Sequence, residues 1–136
     1  MKQDSQSEPV TELEGMVLAI LAREGALTAY EIKEQFRQSP SRFWSGSAGA
    51  VYPLTKRLEQ RGVLVSKDAS ESKRPRRVFF LTAQGRARML EWLSDVERAA
   101  DPGYDPLRSR LQFLDLLPKN DQREFLNDVE AALDRT

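Results

Sequence analysis

The stretch SGSAGAVYPLTKRLEQRG, Ser45 to Gly62, decides how the rest of the chain is read. Its second half is helical in character: Lys56, Arg57, Leu58, Glu59, Gln60 and Arg61 are mostly good helix formers, and Gly62 is a natural stop. Its first half is almost all Ser, Gly and Ala, followed by Tyr52 and Pro53. Inside a helix, proline removes a donor and clashes with the carbonyl four residues back, but in the first turn the amides lack partners anyway. The helix is therefore expected to begin near Ala50; an earlier start would force a kink at Pro53. Val51, Leu54 and Leu58 recur at a 3,4 spacing and mark its inward face, with Tyr52 and Lys56 on the exposed side.

Upstream, Thr11-Glu12-Leu13-Glu14 reads as a capping box, followed by an apolar stripe of Leu13, Met16, Val17, Ile20 and Leu21 that Gly25 ends. Thr28-Ala29-Tyr30-Glu31 is a second capping box, with Leu27 and Ile32 at the two positions of a hydrophobic staple and Phe36 further along the inner face. Two helices joined by a short glycine-containing turn form the first half of a helix-turn-helix. Residues 38 to 47 read as a loop in which Phe43 and Trp44 plug a core rim, with ligand stacking as the alternative. Downstream, VLVSK (63–67) and RRVFFLT (76–82) read as strands on either side of a polar turn, and Thr82 caps a long helix carrying Ala83, Ala87, Leu90, Leu93 and Val96 along one side. Helix, helix, helix, strand, basic turn, strand, helix is the order of a winged helix-turn-helix.

Composition narrows the function. The 136 residues contain neither cysteine nor histidine. That excludes disulfides, thiol nucleophiles, histidine general bases and the usual zinc sites. No carboxylate-pair or lysine motif takes their place, so the chain reads as a non-enzyme, and no cofactor is assigned. The longest apolar run, Met16 to Ala22, is too short to span a bilayer, and the N-terminal MKQDSQSEPV lacks the apolar core of a signal peptide. The expectation is a cytoplasmic protein with a flexible arm over residues 1–10. Net charge is zero but unevenly placed: residues 56–88 hold ten basic and three acidic residues, a net of +7, between flanks of −2 (1–55) and −5 (89–136). Such a block suits a polyanion, or simply a solvated charged face.

After the DPGYDP break, Asp105 is a good N-cap and Pro106 suits a first helical position. Leu107, Leu111, Leu114 and Leu117 then form a stripe that Pro118 closes, and a last helix carries Phe125, Leu126, Val129, Ala132 and Leu133. Together with Leu90 and Leu93, these stripes exceed what a winged domain over 11–100 can cover, and large apolar patches mark interfaces. The expectation is a C-terminal helical region, 105–136, that holds a homodimer through Leu90, Leu93, Leu107, Leu111, Leu114, Leu117, Phe125 and Val129. The alternative is that these helices fold back onto their own subunit.

Four segments resemble the PadR family of winged-helix transcriptional regulators: VLAILAREGALTAYEI (17–32), FWSGSAGAVYPLTKRLEQRGVL (43–64), KRPRRVFFLT (73–82) and LTAQGRARMLEWL (81–93). The resemblance covers roughly residues 11–98, and the second segment is the most specific. It implies a mostly α fold with a small β-wing, and a regulator that binds double-stranded DNA, of repressor type, acting as a homodimer on an inverted repeat. It also implies release by a small-molecule or stress signal. The third helix then resembles a recognition helix entering the major groove. Ser47 and Gly49 would let backbone approach phosphates, with free amides at the helix start as an anion site. Tyr52 would reach a phosphate or, failing that, brace the second helix. Lys56 would face the DNA, and Lys73, Arg74, Arg76 and Arg77 would form the basic wing. Departures include Thr55 where the family is usually apolar, which leaves open the buried face of this helix, and Phe79 and Phe80 where hydroxyl and polar residues are usual, so that Phe80 could face a partner subunit. Trp44 and Trp92 are candidate stacking surfaces, or core. The competing reading is a winged helix serving as a protein-interaction module.

Overall fold

A computed structural model describes residues 8–69, 76–101 and 106–135, and within them the backbone alone of Arg42 and Phe43. Its elements are α1 (Glu12–Glu24), β1 (Leu27–Thr28), α2 (Ala29–Arg37), α3 (Arg42–Gly46), a 3₁₀ turn (Ala48–Ala50), α4 (Val51–Gln60), β2 (Leu64–Asp68), β3 (Arg77–Leu81), α5 (Ala83–Leu93), α6 (Val96–Ala99), α7 (Pro106–Leu111), a second 3₁₀ turn (Leu114–Leu116) and α8 (Lys119–Asp134). The strands form an antiparallel sheet in the order β1-β3-β2. This is the winged helix-turn-helix order read from the sequence, with β1 and the short α3 added.

Both capping boxes form. Thr11 and Glu14 exchange side-chain and backbone hydrogen bonds at the start of α1, and Thr28 and Glu31 do the same for α2. α4 begins at Val51, so Pro53 is its third residue and its missing amide falls in the first turn, where it costs little. Val51, Leu54 and Leu58 are buried as expected, and so is Thr55. The Thr55 hydroxyl donates to the Tyr52 carbonyl (2.9 Å), which lets a polar side chain sit in the core without an unmet donor. The face left open by the sequence is thus wide enough to take both Leu54 and Thr55. Gly62 follows α4 with φ of 80°, the left-handed conformation that glycine enters without steric cost.

Local chemistry overrules the sequence reading at four places. Residues 42–46 form the short helix α3, not a loop; Trp44 is buried against Phe36, ring centroids 5.9 Å apart in an edge-to-face pair, and this anchor draws the segment into helix. The helix from Ala83 ends at Leu93 and does not reach Val96: the Ser94 hydroxyl donates back to the Leu90 carbonyl (2.7 Å), and Asp95 caps α6 by accepting from the Arg98 amide (3.1 Å). The stripe from Leu107 to Leu117 is likewise broken. α7 stops at Leu111, Leu114 stands in a 3₁₀ turn, and Leu117 is extended because it precedes Pro118. The two-residue β1, which pairs Leu27 with Phe79 and Thr28 with Val78, had no alternation to announce it. The Asp105 cap lies outside the described residues.

Of the leucines and other residues expected at a subunit interface, Leu93, Leu117, Phe125 and Val129 are buried within their own chain. Their side chains, at most 5% exposed, offer a partner little surface, against what was expected of these four. Leu90, Leu107 and Leu114 are half-buried, and Leu111 is exposed. α8 lies along α6, with an Arg135–Glu97 ion pair (3.0 Å) at its end. Trp92 is core: its indole lies so close to α1 that a methyl group at Gly15 would fall 2.3 Å from the ring. Phe80 is half-buried, with the Lys67 ammonium 5.5 Å from its ring centroid.

The first turn of α1 carries two carboxylates that tie the chain together. Glu12 takes a bidentate pair from the fully buried Arg110 guanidinium (2.8 and 3.0 Å), the Trp92 indole N–H (2.9 Å) and Arg98 (2.5 Å). Glu14 receives Arg57 (3.1 Å) and Arg61 (3.3 Å) from α4 and the turn after it. One helical turn thus fixes α4 on one side and the segment after residue 105 on the other.

Candidate nucleic-acid interface

α4 presents Tyr52, Lys56 and Glu59 at i, i+4 and i+7, one stripe opposite Val51, Leu54 and Leu58. Tyr52 is 50% exposed and Lys56 is exposed, on a rigid helix whose other face is locked in the core. Across a cleft of about 480 Å³ stand Arg76 and Arg77 at the root of the wing, with the start of α2 closing one end. The structure therefore brings together four of the eight residues picked as DNA-facing. Ser47 and Gly49 lie one turn before, Ser47 half-buried with its amide donating to the Trp44 carbonyl (3.1 Å), Gly49 exposed. Lys73 and Arg74 fall outside the described residues.

Fewer amides are free at the start of α4 than the anion site expected there would need. The 3₁₀ turn consumes two of them: Ala50 donates to Ser47 (2.9 Å) and Val51 to Ala48, while Pro53 has none. The reading of small residues fares differently. Neither Gly46 nor Gly49 has positive φ, and a methyl group built at either would touch nothing within 4 Å. Nothing inside the described chain demands glycine there, and open backbone at this spot suits close approach by an outside molecule.

Part of the charge block is already engaged within the chain. Arg57 and Arg61 turn inward to Glu14, and Arg88 pairs with Glu91. Arg76 stands 3.6 Å from Glu31. Arg77 donates through Nε to the Ser66 hydroxyl (2.9 Å), which donates in turn to Glu59 (2.5 Å). Lys56 and Lys67 form no ion pair with another described residue. The Glu31 carboxyl is held below its ordinary value, foremost by the hydrogen bond from the Thr28 backbone amide. Partial burial opposes this, and the Thr28 hydroxyl and Arg76 add to the lowering.

Sequence reasoning missed Tyr30, which is 58% exposed on the first turn of α2 and lines the same cleft, and Lys33, whose ammonium lies 5.8 Å from the Tyr52 ring centroid. The helical phase could have found Tyr30: two residues before the buried Ile32, it points roughly 200° away from the core. The Tyr52 ring meets α2 through the Lys33 cation–π contact, and the residue remains 50% exposed. Among the described residues, no group of three or more carboxylates is placed to hold a metal, and no helix is long and apolar enough to cross a membrane.

Comparison with known proteins agrees with this geometry. The sequence profile of the transcriptional regulator PadR-like family matches residues 17–91. The chain is 23% identical over 109 residues to the negative transcriptional regulator PadR of Bacillus subtilis, covering 79% of this chain and 60% of that regulator's length. The crystal structure of Bacillus subtilis PadR in complex with operator DNA superposes with a TM-score of 0.53 at 27% identity, over 60% of this chain and 46% of the other. A PadR-like regulator from Bacillus cereus, BC1756, shares the fold over 95% of this chain and 96% of its own, with a TM-score of 0.51 at 16% identity.

Proposed function

Because the chain belongs to the PadR-like family of transcriptional regulators, we propose that it binds a specific double-stranded DNA operator and represses transcription from it. The observation that carries this reading is the cleft in which the exposed stripe of α4 faces Arg76 and Arg77 across the root of the wing. α4 enters the major groove with Tyr52 and Lys56 toward the bases and inner phosphates, and the wing arginines grip the backbone alongside. Gly46 and Gly49 admit the phosphate backbone close to the 3₁₀ turn. The operator-bound structure of Bacillus subtilis PadR supports DNA as the partner, and that relative's being a negative regulator supports repression. The chain spans 60% of that relative's length, so regulation of the same genes is not part of the proposal.

The acting species is a homodimer on an inverted repeat. Leu126 and Leu133, two turns apart on α8 and 44% and 43% exposed, supply the apolar face that the buried Phe125 and Val129 cannot, with exposed Leu111 adding to the C-terminal apolar surface. Release by a small-molecule or stress signal completes the reading. The test is selection of bound duplexes from a randomised pool, followed by electrophoretic mobility shift with the enriched sequence. Enrichment of a two-fold symmetric site supports the proposal. A pool that stays random, with no shifted complex at low salt, sinks it in favour of a protein-interaction module.

A further inference from the structure

Glu59 is the one acidic side chain of α4, and it stands at the end of the stripe that starts with Tyr52 and Lys56. An uncompensated carboxylate facing phosphates would weaken binding, so its presence there calls for a physical reason. The contacts supply one. The Glu59 carboxylate accepts from the Ser66 hydroxyl (2.5 Å) on β2, and the same hydroxyl accepts from Arg77 Nε (2.9 Å) on β3. Ser66 is directly opposite Phe79 in the β2–β3 ladder and diagonal to Arg77, so the Ser66 and Arg77 side chains lie on one face of the sheet, where Glu59 meets Ser66 from α4. A hydroxyl that donates one way and accepts the other holds a fixed orientation.

Resting on the DNA-binding reading above, we propose that Glu59 and Ser66 are positioning residues for Arg77: a carboxylate–hydroxyl–guanidinium chain that sets the wing at a fixed angle to the recognition helix. Ser66 holds Arg77 through Nε, and the terminal nitrogens of the guanidinium are the ones that meet a phosphate. Lacking this bond, Arg77 would still attract DNA by charge, but it would no longer arrive in register with Tyr52 and Lys56. Register matters on a cognate site, where groove and backbone must be met together, and hardly at all on random DNA, which is held by charge alone.

The experiment uses the full chain and a duplex selected from a randomised pool, with a scrambled duplex of the same length as control, each measured by fluorescence anisotropy. Ser66→Ala changes no charge; it is expected to weaken the selected duplex about tenfold, the loss typical of a hydrogen bond to a charged group, and to leave scrambled DNA unchanged. Ser66→Thr keeps the hydroxyl on a strand-favouring residue and restores the selected duplex. Should Ser66→Ala fail to fold, Glu59→Ala on the half-buried helix surface reads the same ratio of selected to scrambled affinity. A fall in that ratio supports the chain, and an unchanged ratio overturns it. The proposal is also overturned if repeat selection with Glu59→Ala enriches a different base while Ser66→Ala selects the wild-type sequence, because Glu59 would then read DNA directly. Failure of the wild-type protein to enrich any sequence is a different result, and it counts against the DNA-binding reading itself.

Discussion

Arg110 is fully buried, and its guanidinium bonds inward: to Glu12, to the carbonyls of Trp92 and Pro106, and with its central carbon 4.6 Å from the Trp92 ring centroid. Replacing one partner of such a pair strands the other charge out of water. Arg110→Ala is expected to lower stability by about 3–5 kcal/mol, and adding Glu12→Gln to recover part of it, as read by urea denaturation. No recovery in the double variant would mean that Arg98 alone neutralises Glu12. Glu31 makes a prediction in pH. Its folded-state pKa is lowered from 4.5, so the unfolded chain binds the proton more readily. The stability it contributes is therefore fully present above that value and is lost as pH falls through the lower folded one. Glu31→Gln should flatten the acid limb of stability below about pH 4.5 relative to wild type; identical acid limbs would refute it. None of the Glu12 and Arg110 pairing was legible in the sequence, because it joins residues 98 apart and each reads locally as an ordinary helix-surface charge. Glu31, by contrast, was legible as half of a capping box three residues after Thr28.

The elements that could be read were those whose stabilising interactions are local. α1, α2 and α4 announce themselves by caps, by a 3,4 apolar spacing and by a glycine or proline at the right place, and the structure keeps all three. α3, the break at Ser94-Asp95 and the division of the 107–117 stripe depend on what a side chain meets elsewhere, or on short-range competition between Ser or Asp and the helix. The candidate site divides the same way. Tyr52, Lys56, Arg76 and Arg77 were picked through the PadR resemblance, with helical phase and charge beside it, whereas Glu59 and Ser66 were not, since their link runs across two elements. A consequence at this scale is that α4 and the wing should fail differently. Arg76→Ala with Arg77→Ala is expected to weaken every duplex, the selected one about tenfold more because the register of Arg77 is lost with it, and to reduce the slope of log affinity against log salt by about 0.9 for each phosphate no longer neutralised. Tyr52→Ala or Lys56→Ala should cost about 1–3 kcal/mol on the selected site and less on random DNA. If the arginine pair changes sequence preference and leaves the salt slope alone, the two elements have exchanged roles.

At the scale of the whole molecule, the C-terminal segment packs within its own chain and, in the proposed dimer, would also meet a partner, and a deletion would confound the two. Residues 106–135 place Arg110 in the Glu12 cluster, bury Phe113, Leu117, Phe125 and Val129 within the chain, and also present Leu126 and Leu133 to solvent. Removing the segment would uncover Glu12 and Trp92 and so damage the winged domain itself, and loss of a dimer after such a cut would say nothing of where the interface lies. Substitutions confined to the outer face separate the two. Leu126→Glu with Leu133→Glu leaves the buried side chains in place, keeps good helix formers on α8, and puts like charges where a partner's leucines would meet them. Thermal stability of the separate subunit should hardly change, while sedimentation equilibrium should show monomer. Affinity for a two-fold symmetric operator should fall steeply, because two recognition helices set about 34 Å or a multiple apart no longer act as one ligand. Affinity for a single half-site should be unchanged. A variant that remains dimeric and binds the full operator as tightly as wild type would move the interface to α5 and α6, where Leu90 and Val96 remain half-buried at the surface.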